Sequence, residues 1–214
     1  MVGEREECAG MHALLNRMLH VFVEDTYGTE VWCDVLEGAG LSAVELDSLG
    51  PQTIRTTRAL SRAVETVLAR SVDTVLEDVG TYLVSHPNAQ SVRRLLRFCG
   101  TDFVDFLHSL EDLPDRIRLA VPSLSLPEIE VAEEREARFL ITCRGPLPGV
   151  GHLLAGLLRA MADDYGTLAL LEHEGRSCDG DRLRVTLVDT AFSEGRRFVL
   201  GAGGAAPLLA GRHP

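Results

Sequence analysis

Between residues 12 and 23, apolar side chains fall at Leu14, Leu15, Met18, Leu19 and Phe22, the spacing of one helical face. Tyr27 and Gly28 interrupt that run, and 30–37 predicts a second short helix. Gly38, Gly40 and the LDSLGP stretch at 46–51 predict a loop. Helical spacing returns over 53–69 and 72–85. The second run ends at His86-Pro87, because the residue before a proline is pushed out of the helical region. Residues 91–98 predict another helix, with Gly100 as its stop.

The second half has a different texture. Pro122, Pro127, Pro146 and Pro148 punctuate it, and 138–143, 167–172 and 183–188 predict strands. The third is the clearest, with Leu183, Val185 and Leu187 alternating with Arg184 and Thr186. Between the first two, Val150, Leu153, Leu154, Leu157, Leu158 and Met161 mark the buried stripe of an amphipathic helix. The pattern predicts a helical N-terminal half followed by a small mixed α/β C-terminal half. Residues 1–10 read as a flexible extension, 11–200 as one domain, and the Gly/Ala-rich 201–214 as a disordered tail.

If 102–113 is one helix at about 100° per residue, Phe103, Phe106, Leu107, Leu110 and Leu113 share a stripe about 120° wide. One residue further on, Pro114 would lie near the middle of that stripe, and His108 would face solvent.

Composition narrows the function. The formal net charge of −11 disfavours phosphate-backbone binding, so nucleic acid is not an expected partner. No apolar run approaches the roughly 20 residues that span a bilayer, so no membrane is expected either, and the charged N-terminus lacks a secretory signal. Five scattered cysteines without a CxxC suit reduced thiols and a cytoplasmic setting. GxSxG, P-loop and HExxH motifs are missing, so an enzyme is not expected.

Several segments together resemble the heme nitric oxide/oxygen binding (H-NOX) family. MHALLNRML at 11–19 is similar to its opening helix, and YGTEVW at 27–32 to its YG-x-x-x-W pattern. Gly80, LLRFCG at 95–100 and FLHSLEDLP at 106–114 follow in the family's order, so the resemblance covers roughly residues 11–190. It implies an α+β fold, a bundle of about six helices packed on a C-terminal antiparallel sheet of about four strands with one helix crossing it. It also implies a domain that binds heme b or another tetrapyrrole, senses NO or a related diatomic gas, and signals to a separate histidine kinase or nucleotide cyclase. On the same basis Pro127 matches a proline that packs on the porphyrin, with Leu107 and Leu110 beside the cofactor.

Two departures fall at the cofactor. Pro114 occupies the slot of the family's iron-binding histidine, and proline has no lone pair to ligate iron. The family's YxSxR motif, which holds the heme propionates, aligns with Arg144, Gly145, Pro146 and Leu147, where only Arg144 offers such a contact. His86 is the candidate substitute ligand. The alternatives are a heme-free protein-interaction or apolar-ligand module, and a redox sensor using Cys143, His173 and Cys178 as zinc ligands. Arg93, Arg94 and Arg97 read as a solvated basic face or a docking patch, and Asp163-Asp164 and the 133–136 run as solvated charge.

Overall fold

The computed structural model describes residues 2–42, 54–120, 126–145 and 149–196. The loop at 46–51, the tail at 201–214 and His213 lie outside those residues. Helix α1 (Val2–Tyr27) buries Met11, Leu15, Leu19, Phe22 and Val23 along one stripe, and begins well before the apolar pattern does. Gly28, at φ 96°, turns the chain into α2 (Thr29–Ala39), which buries Trp32, Val35 and Leu36. Gly40 ends α2 in the left-handed conformation, its N–H bonded back to the helix's last carbonyls.

Helices α3 (Ile54–Leu68) and α4 (Val72–Ser85) complete a helical lobe around Leu60, Val64, Val75 and Val79. Ser71 caps α4 by accepting from the Thr74 N–H at 3.3 Å. A short 3₁₀ turn (Pro87–Ala89) leads into α5 (Gln90–Arg97). The predicted helix over 102–113 is in fact two: α6 (Phe103–Ser109), capped by Asp102, and α7 (Leu113–Ala120).

Proline causes that break. Inside a continuous helix Pro114 would withhold its hydrogen bond and press its ring on the preceding turn. Instead the chain turns through 110–112, with Leu113 N–H bonded to Leu110 at 3.2 Å and Arg116 N–H to Asp112 at 3.0 Å. Pro114 then lies in the first turn of α7, where a missing N–H costs nothing.

The sheet is antiparallel in the order β1-β2-β4-β3, formed by β1 (Glu128–Arg135), β2 (Arg138–Arg144), β3 (Leu168–Ser177) and β4 (Gly180–Asp189). Phe139, Ile141, Cys143, Leu183, Val185 and Leu187 form its inner face and pack with α6 and helix α8 (Val150–Tyr165). Strand β1 escapes the sequence pattern because Ile129 is its one buried residue, so its charges hide the alternation. The 133–136 charges accordingly lie on β1 and the turn after it, and Glu134 pairs with Arg184 of β4 at 3.5 Å.

Helix α8 is buried on more than the predicted stripe, since Gly151, Ala155, Gly156, Ala160 and Ala162 are also covered. It lies between the sheet and α4. The crossing with α4 is closest at Gly80 and Gly156: a methyl group on Gly80 would land on the Leu153 carbonyl, and one on Gly156 on the Glu77 carbonyl. Among the described residues, no helix is long and apolar enough to cross a membrane.

Candidate functional site

The segment that sequence marks as the cofactor site runs from α6 through Pro114 to the start of β1. Phe106, Leu107 and Leu110 are 0% exposed, and Leu113 and Pro114 are buried. Pro127 is half-buried. It approaches Gly145 and Met11: a methyl group on Gly145 would lie 3.1 Å from Pro127 Cβ and 3.7 Å from Met11 Sδ. The start of β1, the end of β2 and α1 therefore converge at Pro127.

The buried residues of this segment offer heme iron no histidine ligand. Side chains lining a space large enough for a porphyrin keep accessible surface on that side, and Leu107 and Leu110 keep none. Pro114 supplies no ligand, and the break in the helix is built around it. Arg144 Nη2 is 2.5 Å from Glu130 Oε2 across the exposed face of the sheet. Pro146 and Leu147 lie outside the described residues.

His86 is in another neighbourhood. Its ring stacks on Tyr82 at 4.6 Å, its Nδ1 accepts from the Asn88 N–H at 3.3 Å, and it lies 3.8 Å from Asp25 Oδ2. Asp25 also accepts from the Tyr82 hydroxyl and holds Asn88 Nδ2 at 2.9 Å. The Tyr82 and Asn88 hydrogen bonds keep the Asp25 carboxyl below its ordinary pKa, while burial and then Asp25 raise that of Tyr82. Asp25 is roughly 20 Å along α1 from Met11, at about 1.5 Å per residue. His86 and Pro127 are thus not brought together by the described contacts.

The other histidines are engaged elsewhere. His12 Nδ1 lies 3.0 Å from Thr57 Oγ1 in the α1–α3 contact, and burial, then Arg58, lowers its pKa. His20 stacks on Trp32, and the exposed His108 meets Phe139 edge-on.

Cys143, His173 and Cys178 do not form a metal centre. Cys143 is buried on the inner face of β2, whereas Cys178 is exposed in the turn between β3 and β4. Among the described residues, no group of three or more His, Cys, Asp or Glu side chains is placed to hold a metal ion. Burial, then the Asp181 charge, pushes the Cys143 thiol up to about 12, so little thiolate is present near neutrality. Iodoacetamide is expected to modify Cys33 and Cys178 in the folded protein and to reach Cys143 only after denaturation. Mass spectrometry of peptides from native and denatured samples checks this.

Two polar clusters were not legible as such. Asp164, read as solvated charge, is fully buried and accepts from Arg93 Nε at 3.0 Å and Nη2 at 2.7 Å. Arg97 Nε lies 3.6 Å from its other oxygen, and the Arg97 guanidinium sits 3.8 Å above the Tyr165 ring. The basic residues on one face of α5 therefore bind the end of α8 and are not a solvated patch. The i, i+4 spacing of Arg93 and Arg97 was the available signal, but their partner is on a distant helix. The second cluster joins His152 of α8 to His173 of β3, stacked at 4.0 Å. Nothing in sequence spacing pairs them.

Comparison with known proteins agrees with this architecture. A family model described as Haem-NO-binding matches residues 12–173. Soluble guanylate cyclase gcy-31 of Caenorhabditis elegans is 21% identical over 156 residues, covering 72% of this chain and 22% of that protein. The chain spans about a quarter of the length of the curated relatives it matches. The unliganded Fe(II) H-NOX protein from K. algicida superposes with a TM-score of 0.66 at 18% identity, covering 89% of this chain and 99% of that one. An H-NOX protein from S. oneidensis in the Fe(II)NO state gives a TM-score of 0.62 at 18% identity, covering 83% and 99%.

Proposed function

This chain belongs to the haem-NO-binding family, and from that premise we propose that it is a regulatory domain that works without a histidine-ligated heme. It passes its signal by protein contact to an output protein, such as a histidine kinase or a nucleotide cyclase. One observation carries this reading: Leu107 and Leu110 have no accessible surface beside a helix break built around Pro114. The domain occupies about residues 11–200, with 1–10 and 201–214 as extensions. Its role is regulatory and not catalytic, and its setting is the cytoplasm.

The second reading keeps the family's chemistry. Heme b, held by packing alone, would sense NO or another diatomic gas. The match to the haem-NO-binding family model favours it.

Titration of the protein with hemin separates the two. The expected absorption spectrum is that of free hemin, without a protein-bound Soret band before or after reduction and addition of NO. A bound Soret band that moves with NO overturns the heme-free reading. Pro114→His tests the packing argument directly. It is expected to remain without heme, since Leu107 and Leu110 on the preceding turns stay fully covered. A five-coordinate heme spectrum in that variant would mean that only the ligand had been lost.

A further inference from the structure

His152 and His173 come from different elements and stack face to face, with ring centroids 4.0 Å apart and planes 26° apart. Helix α8 is pressed onto the pair. A methyl group on Gly151 would lie 2.6 Å from Asp181 Cβ and 2.7 Å from His173 Nε2, so only glycine permits this approach. Carboxylates face both rings. His152 Nδ1 is 3.0 Å from Glu77 Oε1 and its Nε2 is 3.6 Å from Asp73 Oδ2, both on α4. His173 Nε2 is 3.8 Å from Asp181 Oδ1 on β4. Two arginines already offset part of that negative charge: Arg159 of α8 binds Glu77 at 2.6 Å, and Arg176 of β3 lies 3.3 Å from Asp181.

We propose that the stacked His152–His173 pair is a proton-sensitive latch that holds the N-terminal end of α8 on the β3–β4 hairpin and releases it on acidification. The hydrogen bonds explain the sensitivity. The Gly175 N–H donates to His173 Nδ1 at 3.2 Å, so neutral His173 carries its own proton on Nε2. Protonating the ring places a second N–H at Nδ1, which deprives the Gly175 N–H of its acceptor. It also sets a positive charge against the face of His152, whose two nitrogens both point at carboxylates.

Burial first, and the His152 charge second, hold the pKa of His173 below the ordinary histidine value. For a base shifted this way the unfolded chain binds the proton first. The contribution to stability is whole above about pH 6.5 and is lost as pH falls below it, until the folded-state group itself is protonated. His12 is shifted in the same direction, but it lies in the α1–α3 contact. A local readout is therefore needed.

Amide hydrogen exchange on the full chain at pH 7.5 and pH 5.5, corrected for intrinsic rates, supplies it. Peptides covering the first turn of α8 and the β3–β4 hairpin are expected to lose protection at the lower pH. His152→Gln keeps a donor for Glu77 and removes the stacked ring. His173→Gln keeps an acceptor for Gly175 and cannot be protonated. His173→Gln is expected to flatten the difference; His152→Gln, which leaves the Gly175 bond in place, is expected to reduce it and serves if the other variant does not fold. Equal wild-type protection at both pH values, or a full loss that persists in the folded variants, overturns the latch.

Discussion

Asp164→Ala is expected to lower folding stability by about 3–5 kcal/mol, the usual cost of removing one partner from a buried ion pair. Arg93 and Arg97 are only 13% and 14% exposed, and Asp164 is 0% exposed. Without the carboxylate, two guanidinium groups remain confined between α5 and the end of α8. The cluster also organises its surroundings. The Tyr165 hydroxyl donates to the Gly100 carbonyl at 3.0 Å, and the Arg196 N–H donates to the Asp164 carbonyl at 2.9 Å. Urea denaturation of wild type, Asp164→Ala and Asp164→Asn measures the effect. The asparagine variant keeps the shape and loses the charge, and is expected to fall between the other two. A loss below about 1 kcal/mol for alanine, the range of exposed pairs, would show that water reaches the cluster.

Gly156→Ala is expected to cost about 1–3 kcal/mol or more, although alanine is the better helix former. The added methyl group lands on the Glu77 carbonyl, and backbone of α4 cannot swing aside as a side chain can. Relief requires α4 and α8 to separate, which pulls Glu77 away from His152 and Arg159. Gly38→Ala in α2 is the control. There the new methyl group meets the Ala63 Cβ at 3.5 Å, ordinary contact, so a small gain from helix propensity is expected. Thermal denaturation of both variants tests the contrast. Equal effects would refute the close crossing.

Helices were legible where one face is buried and the other is wet, as in α2 and α4. Register within β1 was not, because an edge strand with one buried residue carries almost no alternation. The candidate site divides in the same way. The resemblance aligned Pro114 with the family's ligand slot, and chemistry added that proline cannot offer iron a lone pair in any fold. That its helix breaks at 110–112, and that Leu107 and Leu110 are sealed, required the packed chain. Asp164 looked like its neighbour Asp163 in sequence, yet one is fully buried between arginines and the other is exposed.

Reading the chain alone was enough for the α+β class, the order of most elements and, through the ordered set of matching segments, the family. The first two follow from local periodicity, and the third from the resemblance carried by those segments together. Tertiary structure alone decided the Asp164 ion cluster, the glycine-to-glycine crossing of α4 and α8, and the His152–His173 stack. The physical reason is range: periodicity states which face of an element is buried, but not what is buried against it. Charge pairing and close approach depend on partners many residues away, and those are chosen only when the whole chain packs.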